Sequence, residues 1–186
     1  MFAANDAAHL EYDALMSRSR HLERTGHLLW TIATCAAAVL LAWSIASRTP
    51  GTLMAAVIAA AAGFYPLLHA RQQLRMMASY VEEFVERAGG PQWFTRVGHL
   101  QSMPSAAAPS DWIYTGVSSL VAVAAIAFAW MFAGPARHGE LIAALVTACG
   151  VAFVLHSVME TSRVERTDYA AAWRKVTAGA RSSAAA

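Results

Sequence analysis

Four long apolar blocks, set apart by polar or turn-forming segments, dominate the hydropathy pattern of this chain. They run from about Leu28 to Ser47, Gly51 to Ala70, Trp112 to Gly134 and Gly139 to Met159. Each is about the 20 residues that cross a hydrocarbon core of roughly 30 Å at 1.5 Å per residue. None carries Asp, Glu, Lys or Arg in its central portion. Thr49-Pro50-Gly51 separates the first two blocks and Gly134-Pro135 the last two. Such short turns leave each pair no geometry but an antiparallel hairpin. The pattern therefore predicts an all-α membrane protein with four transmembrane helices in two antiparallel hairpins.

Heptad-like stripes extend the first hairpin beyond its apolar blocks. Tyr12, Leu15, Ser19, Leu22, Gly26 and Leu29 alternate in steps of three and four, running into span one. After span two, Leu67, Leu74 and Val81 recur every seven residues, with Ala70, Met77 and Phe84 between them. Arg18, Arg20, Arg24, Glu82, Glu83 and Glu86 fall largely off these stripes. Because spans one and two are antiparallel, their extensions are expected either to meet as a short antiparallel coiled coil or to lie separately on the membrane surface. Asn5-Asp6 reads as a start cap and Gly89-Gly90-Pro91 as a stop.

The expected organisation has five parts. Residues 1–27 form a cytoplasmic amphipathic helix leading into span one, and 28–70 the first transmembrane hairpin. Residues 71–111 form a cytoplasmic helix and linker, with Trp93, Phe94, Val97 and Leu100 on an interfacial helix and Pro104 to Pro109 a flexible link. Residues 112–159 form the second hairpin. The remaining 160–186 form an interfacial helix, with Tyr169, Trp173 and Val176 at helical spacing beside Arg163, Arg166, Arg174 and Lys175, and then a disordered tail from Ala178.

Charge orients the spans. Arg48 and Arg137 occupy the two short loops, while the other twelve of the fourteen basic residues lie before span one, between spans two and three, or after span four. The positive-inside rule then puts both termini and the middle segment in the cytoplasm. Trp30 and Trp112 at the inner ends, and Trp43 and Trp130 near the outer ends, fit interfacial belts. Span one is too long, and its charged lead atypical, for a cleaved signal peptide. Thirteen of the fourteen basic residues are Arg, which together with the alanine content suggests a GC-rich bacterial genome and a bacterial inner membrane.

Composition adds little chemistry. A net charge of +2 gives no argument for a nucleic-acid partner. Cys35 and Cys149 both fall in apolar blocks and suggest small buried thiols, with no metal pattern. No nucleophile elbow, HExxH or phosphate loop occurs, so no catalytic set, cofactor or metal is expected. His69 and His156, near the inner ends of spans two and four, are candidate gate residues or else interfacial side chains reaching water. Pro66 removes a backbone donor and is a candidate hinge. Glu140 reads as a solvated helix start.

Packing signals are clearer. Ala55, Ala59 and Gly63 in span two, and Ala144, Ala148 and Ala152 in span four, recur every four residues. Such ridges allow close backbone approach in lipid, either closing the bundle or joining protomers. Ser118, Ala122, Ala125 and Ala129 form a comparable face in span three. Thr31, Thr34, Ser44, Ser118, Ser119 and Thr147 are placed to hydrogen-bond across helices or to line a narrow pore. A shift of 87 residues aligns Trp43 with Trp130, Gly63 with Gly150 and Leu68-His69 with Leu155-His156, which reads either as a duplicated hairpin with a twofold along the membrane normal or as a chance match between apolar segments.

Glu11-Tyr12-x-x-Leu15, the first hairpin, Tyr80-Val81-Glu82-Glu83-Phe84-Val85-Glu86 and Trp93 resemble the layout of a group of uncharacterised bacterial membrane proteins. The arrangement, over roughly residues 10 to 95, is also similar to SLATT-type proteins, although a second hairpin departs from their two-span pattern. The resemblance implies a membrane-perturbing effector. Together these readings predict a non-enzymatic, oligomeric integral membrane protein that forms a pore or perturbs the bilayer in response to a cytoplasmic signal. The alternative is an accessory or scaffold subunit of a larger membrane complex. The expected partners are the lipid bilayer and either further copies of the chain or that complex.

Overall fold

A computed structural model describes residues 2–86, 111–133 and 137–184, with side chains described over 10–84, 111–133 and 138–176. Helix α1 spans Phe2–Ser47 and α2 Gly51–Tyr80, continued by a π-helical turn over Val81–Glu86. Helix α3 spans Asp111–Phe132, α4 Arg137–Arg166 and α5 Tyr169–Ala184. Among the described residues there is no strand, and four of the helices are long and apolar enough to cross a membrane. The chain is an all-α membrane protein of two hairpins with helical extensions. The Gly89-Gly90-Pro91 stop, the helix expected at Trp93 to Leu100, the Pro104 to Pro109 link and the Gly134-Pro135 turn lie outside the described residues.

The described chain divides into two compact units. An apolar unit comprises Thr25–His69 and Pro109–Glu165; a more polar unit comprises Met1–Arg24, Ala70–Ala108 and Arg166–Ala186. At about 69 Å, the 46 residues of α1 far exceed one bilayer crossing, so its N-terminal turns belong to the polar unit.

The apolar unit is sorted by size in the opposite sense to a water-soluble core. Ala37, Ala60, Ala122, Ala125, Ala129 and Ala143 are buried, while Ile32, Val39, Leu120, Val123, Leu141 and Leu155 face outward. Water would penalise such an apolar exterior heavily. Lipid does not, and there association depends on small residues that let backbones approach. The turn between α1 and α2 is three residues, Arg48 to Pro50, with Arg48 at φ 52°. Ser44 Oγ donates to the Thr49 carbonyl at 2.7 Å, Thr52 Oγ1 to the same carbonyl at 2.9 Å, and Leu53 N to the Pro50 carbonyl at 3.2 Å. These bonds hold the turn through its own hydroxyls and backbone.

Several local expectations change. Helix α1 already begins at Phe2, so Asn5-Asp6 lie inside it rather than capping it. Leu29 is 44% exposed, and half-buried Trp30 takes the inward place. A strict seven-residue stripe drifts around a 3.6-residue helix, and here the drift amounts to one position. Helix α5 runs to Ala184 where a disordered tail was expected.

Candidate functional site

Two built features stand out, one in each unit. In the apolar unit, the buried face of α3 reads Asp111, Thr115, Ser118, Ala122, Ala125, Ala129, so its first half is polar and its second half alanine. The inward stripe of α4 mirrors it in the antiparallel sense: Ala143, Val146, Gly150 and Phe153 precede Ser157, Thr161 and Val164. The polar halves meet. Thr115 Oγ1 lies 2.8 Å from Thr161 Oγ1 and donates to the Asp111 carbonyl at 3.1 Å. A hydroxyl carries one proton, so Thr161 is the donor in the inter-helix bond. One turn away, Trp112 Nε1 donates to Glu165 Oε2 at 2.6 Å. Ser157 Oγ turns back to the Val154 carbonyl at 2.9 Å.

Helix α1 joins this seam from its own side. Trp30 Nε1 donates to Ser118 Oγ at 3.1 Å, and its ring meets Tyr114 edge-on at 5.0 Å; His27 stacks obliquely on the same tyrosine. Trp30 is therefore packed within the bundle, between α1 and α3. Farther along the second hairpin, Trp130 Nε1 donates to Thr147 Oγ1 at 2.9 Å. Helices α2 and α4 meet through Phe64 and Tyr65 on Phe153, with Tyr65 also against His156. The seam is a chain of hydroxyl and indole donors, suited to fixing helix register.

The packing ridges need correction. Gly63 is buried against α1, and a Cβ there would overlap Ala33 and press on the Trp30 backbone. Ala59 is half-buried, but Ala55 is exposed. The inward face of α2 instead runs through Leu53, Ala56, Val57, Ala60, Phe64 and Leu67. In α4 all three of Ala144, Ala148 and Ala152 point outward. The opposite face brings Gly150 onto Ile126, Phe153 onto Phe64 and the Ser157 and Thr161 hydroxyls inside. Hydroxyls need partners in lipid more than alanines need burial, so that face wins. Cys35 and Cys149, read as buried, are exposed on the same apolar exterior.

The remaining candidates scatter. His69, His156 and Pro66 are exposed, and the ring partner of His156 among the described residues is Tyr65 rather than His69. Helix α2 continues α-helical through Pro66. Of the hydroxyls, Ser44 is spent on its turn and Thr31 on the His27 carbonyl. Ser119 Oγ is buried without a hydrogen-bond partner. Thr115 and Thr161 were not singled out by sequence. Thr115 continues the Ser118–Ala129 spacing by three residues, and Thr161 lies just past the expected end of span four. No group of three or more His, Cys, Asp or Glu side chains is placed to hold a metal among the described residues.

In the polar unit the stripe residues are drawn inward. Val81 and Ser19 are buried, and Tyr12, Leu15, Leu22, Leu74, Met77 and Phe84 are half-buried, while Arg18, Arg20, Arg24 and Glu82 are exposed. The extensions of α1 and α2 meet where Tyr80 OH donates to Glu11 Oε1 at 2.9 Å. That bond stabilises the protonated phenol and, with partial desolvation, raises the Tyr80 pKa above its ordinary value. Helix α5 starts after the Thr167-Asp168 break, where Asp168 Oδ1 accepts from Ala171 N at 2.9 Å as an N-cap. It lays Trp173 on α2. Nε1 donates to the Met76 carbonyl at 3.2 Å, and the ring meets Tyr80 at 5.2 Å and Phe84 at 6.3 Å. The aromatic face expected at a lipid surface is thus centred on protein, although Val176 stays outside.

Compared with known proteins, the chain matches no family model, no curated protein and no solved structure.

Proposed function

We propose that the protein is a non-enzymatic integral membrane protein that self-associates in the bacterial inner membrane, with both termini cytoplasmic, and perturbs or perforates the bilayer in response to a cytoplasmic signal. One observation carries the reading: Ala144, Ala148 and Ala152 form a small-residue ridge turned away from their own bundle. Within a bundle such a ridge is where helices approach, and outside it the same surface suits a neighbouring copy. The SLATT-like layout of the N-terminal half adds to it, as does the helical unit formed by the extensions.

The test is the mass of the particle in mild detergent together with ion flux from liposomes. A defined homo-oligomer that leaks, and that Ala148→Leu both dissociates and silences, supports the reading. A monomeric particle that leaves liposomes tight overturns it. Obligate co-purification with a second membrane protein favours the accessory-subunit alternative.

A further inference from the structure

We propose that helix α5 is a reversible clasp on the extension of α2, in which Trp173 holds residues 76–84 and its withdrawal loosens them. Trp173 is the centre of the contact. Trp173 donates to the Met76 carbonyl, to which Ser79 Oγ also donates at 3.0 Å, and its ring rests on Tyr80 and Phe84. Tyr80 in turn reaches Glu11 on α1, so the connection runs from α1 through α2 to α5 by way of two aromatic residues. Phe84 lies within the π-helical turn and stacks on Tyr80 at 4.9 Å. A π turn is less stable than α-helix and persists where other contacts hold it. Trp173, touching residues on either side of its start, supplies such contacts.

Beyond this anchor α5 turns its next three residues outward. Arg174, Lys175 and Val176 are exposed, the last at 61%. Its own N-cap at Asp168 lets it remain helical whether or not it is docked. A helix with an independent start and a two-residue break before it is able to leave as a unit. The positive charges on its exposed side would draw it, once freed, to an anionic surface.

Hydrogen exchange of the full chain in lipid nanodiscs tests the clasp with Trp173→Ala and Trp173→Phe. Losing both ring and donor should speed exchange about tenfold over residues 76–84 as well as 169–176, and Trp173→Phe, which keeps a ring, should do so less. Residues 111–132 report whether the apolar unit stays folded. Faster exchange confined to 169–176 would overturn the clasp, because α5 would then merely rest on α2. Unchanged exchange in Trp173→Ala would overturn it as well. Its regulatory role rests on the bilayer-perturbing reading, and liposome flux separates the two. A Trp173→Ala protein whose exchange opens while both it and wild type leave liposomes tight retains the clasp and rejects the leak.

Discussion

Gly63 and Gly150 stand 87 positions apart at matching places in the two hairpins, and both mark a close approach, yet their surroundings differ in hardness. A Cβ on Gly63 meets the Ala33 methyl and helix backbone, neither of which can turn aside. On Gly150 it meets Ile126 Cδ1 at 2.8 Å, the free end of a flexible side chain. Gly63→Ala should therefore cost about 1–3 kcal/mol and Gly150→Ala under about 1 kcal/mol, measured by steric-trap unfolding in bicelles. The hydroxyl seam gives a second expectation. Thr115→Val and Thr161→Val should be coupled by about 0.6–1.7 kcal/mol in a double-mutant cycle. Additivity would show that the 2.8 Å bond carries no weight. At the first turn, Arg48→Gly should be tolerated and Arg48→Val should destabilise by about 1 kcal/mol or more, because only glycine adopts φ 52° without strain.

At the scale of elements, periodicity told where helices lie better than which way they face. The four spans, the α3 stripe and the Gly63 contact were legible because apolar length and small-residue spacing are local signals. The outward turn of Ala144, Ala148 and Ala152 was not. It depends on Phe153 finding Phe64 and on Thr161 finding Thr115, partners 89 and 46 residues away. The packing of Trp30 on Ser118 was likewise illegible, because nothing in its neighbourhood announces that partner. The duplication is also more limited than the alignment suggests. Gly63 packs on Trp30 and Ala33, whose shifted equivalents are Val117 and Leu120, whereas Gly150 packs on Ile126. The two hairpins share a glycine contact but not a register. For α5 the cap is the weak element: Asp168→Ala should remove about 1 kcal/mol and speed amide exchange in the first turns from Tyr169.

The molecule as a whole presents an exterior of leucine, isoleucine, valine and tryptophan over the apolar unit. Cys35 and Cys149 lie on it and act as reporters. In intact membranes both should resist a water-soluble maleimide, react with a lipid-permeant one, and become reactive to either in SDS. Ready labelling of both by the water-soluble reagent in intact membranes would contradict a lipid-facing exterior.

The alanine-lined interior of that unit has a consequence for conduction. Ala122, Ala125, Ala129, Ala37 and Ala60 are buried where helices meet, and small residues there let backbones approach closely. Between the alanines the interior is filled by Leu53, Phe64, Val146 and Phe153. On the proposed reading, a water-filled path would run between copies of the chain, walled by faces that a single copy turns toward lipid. Its bore would be set by how many copies close the ring, so unitary conductance would report stoichiometry.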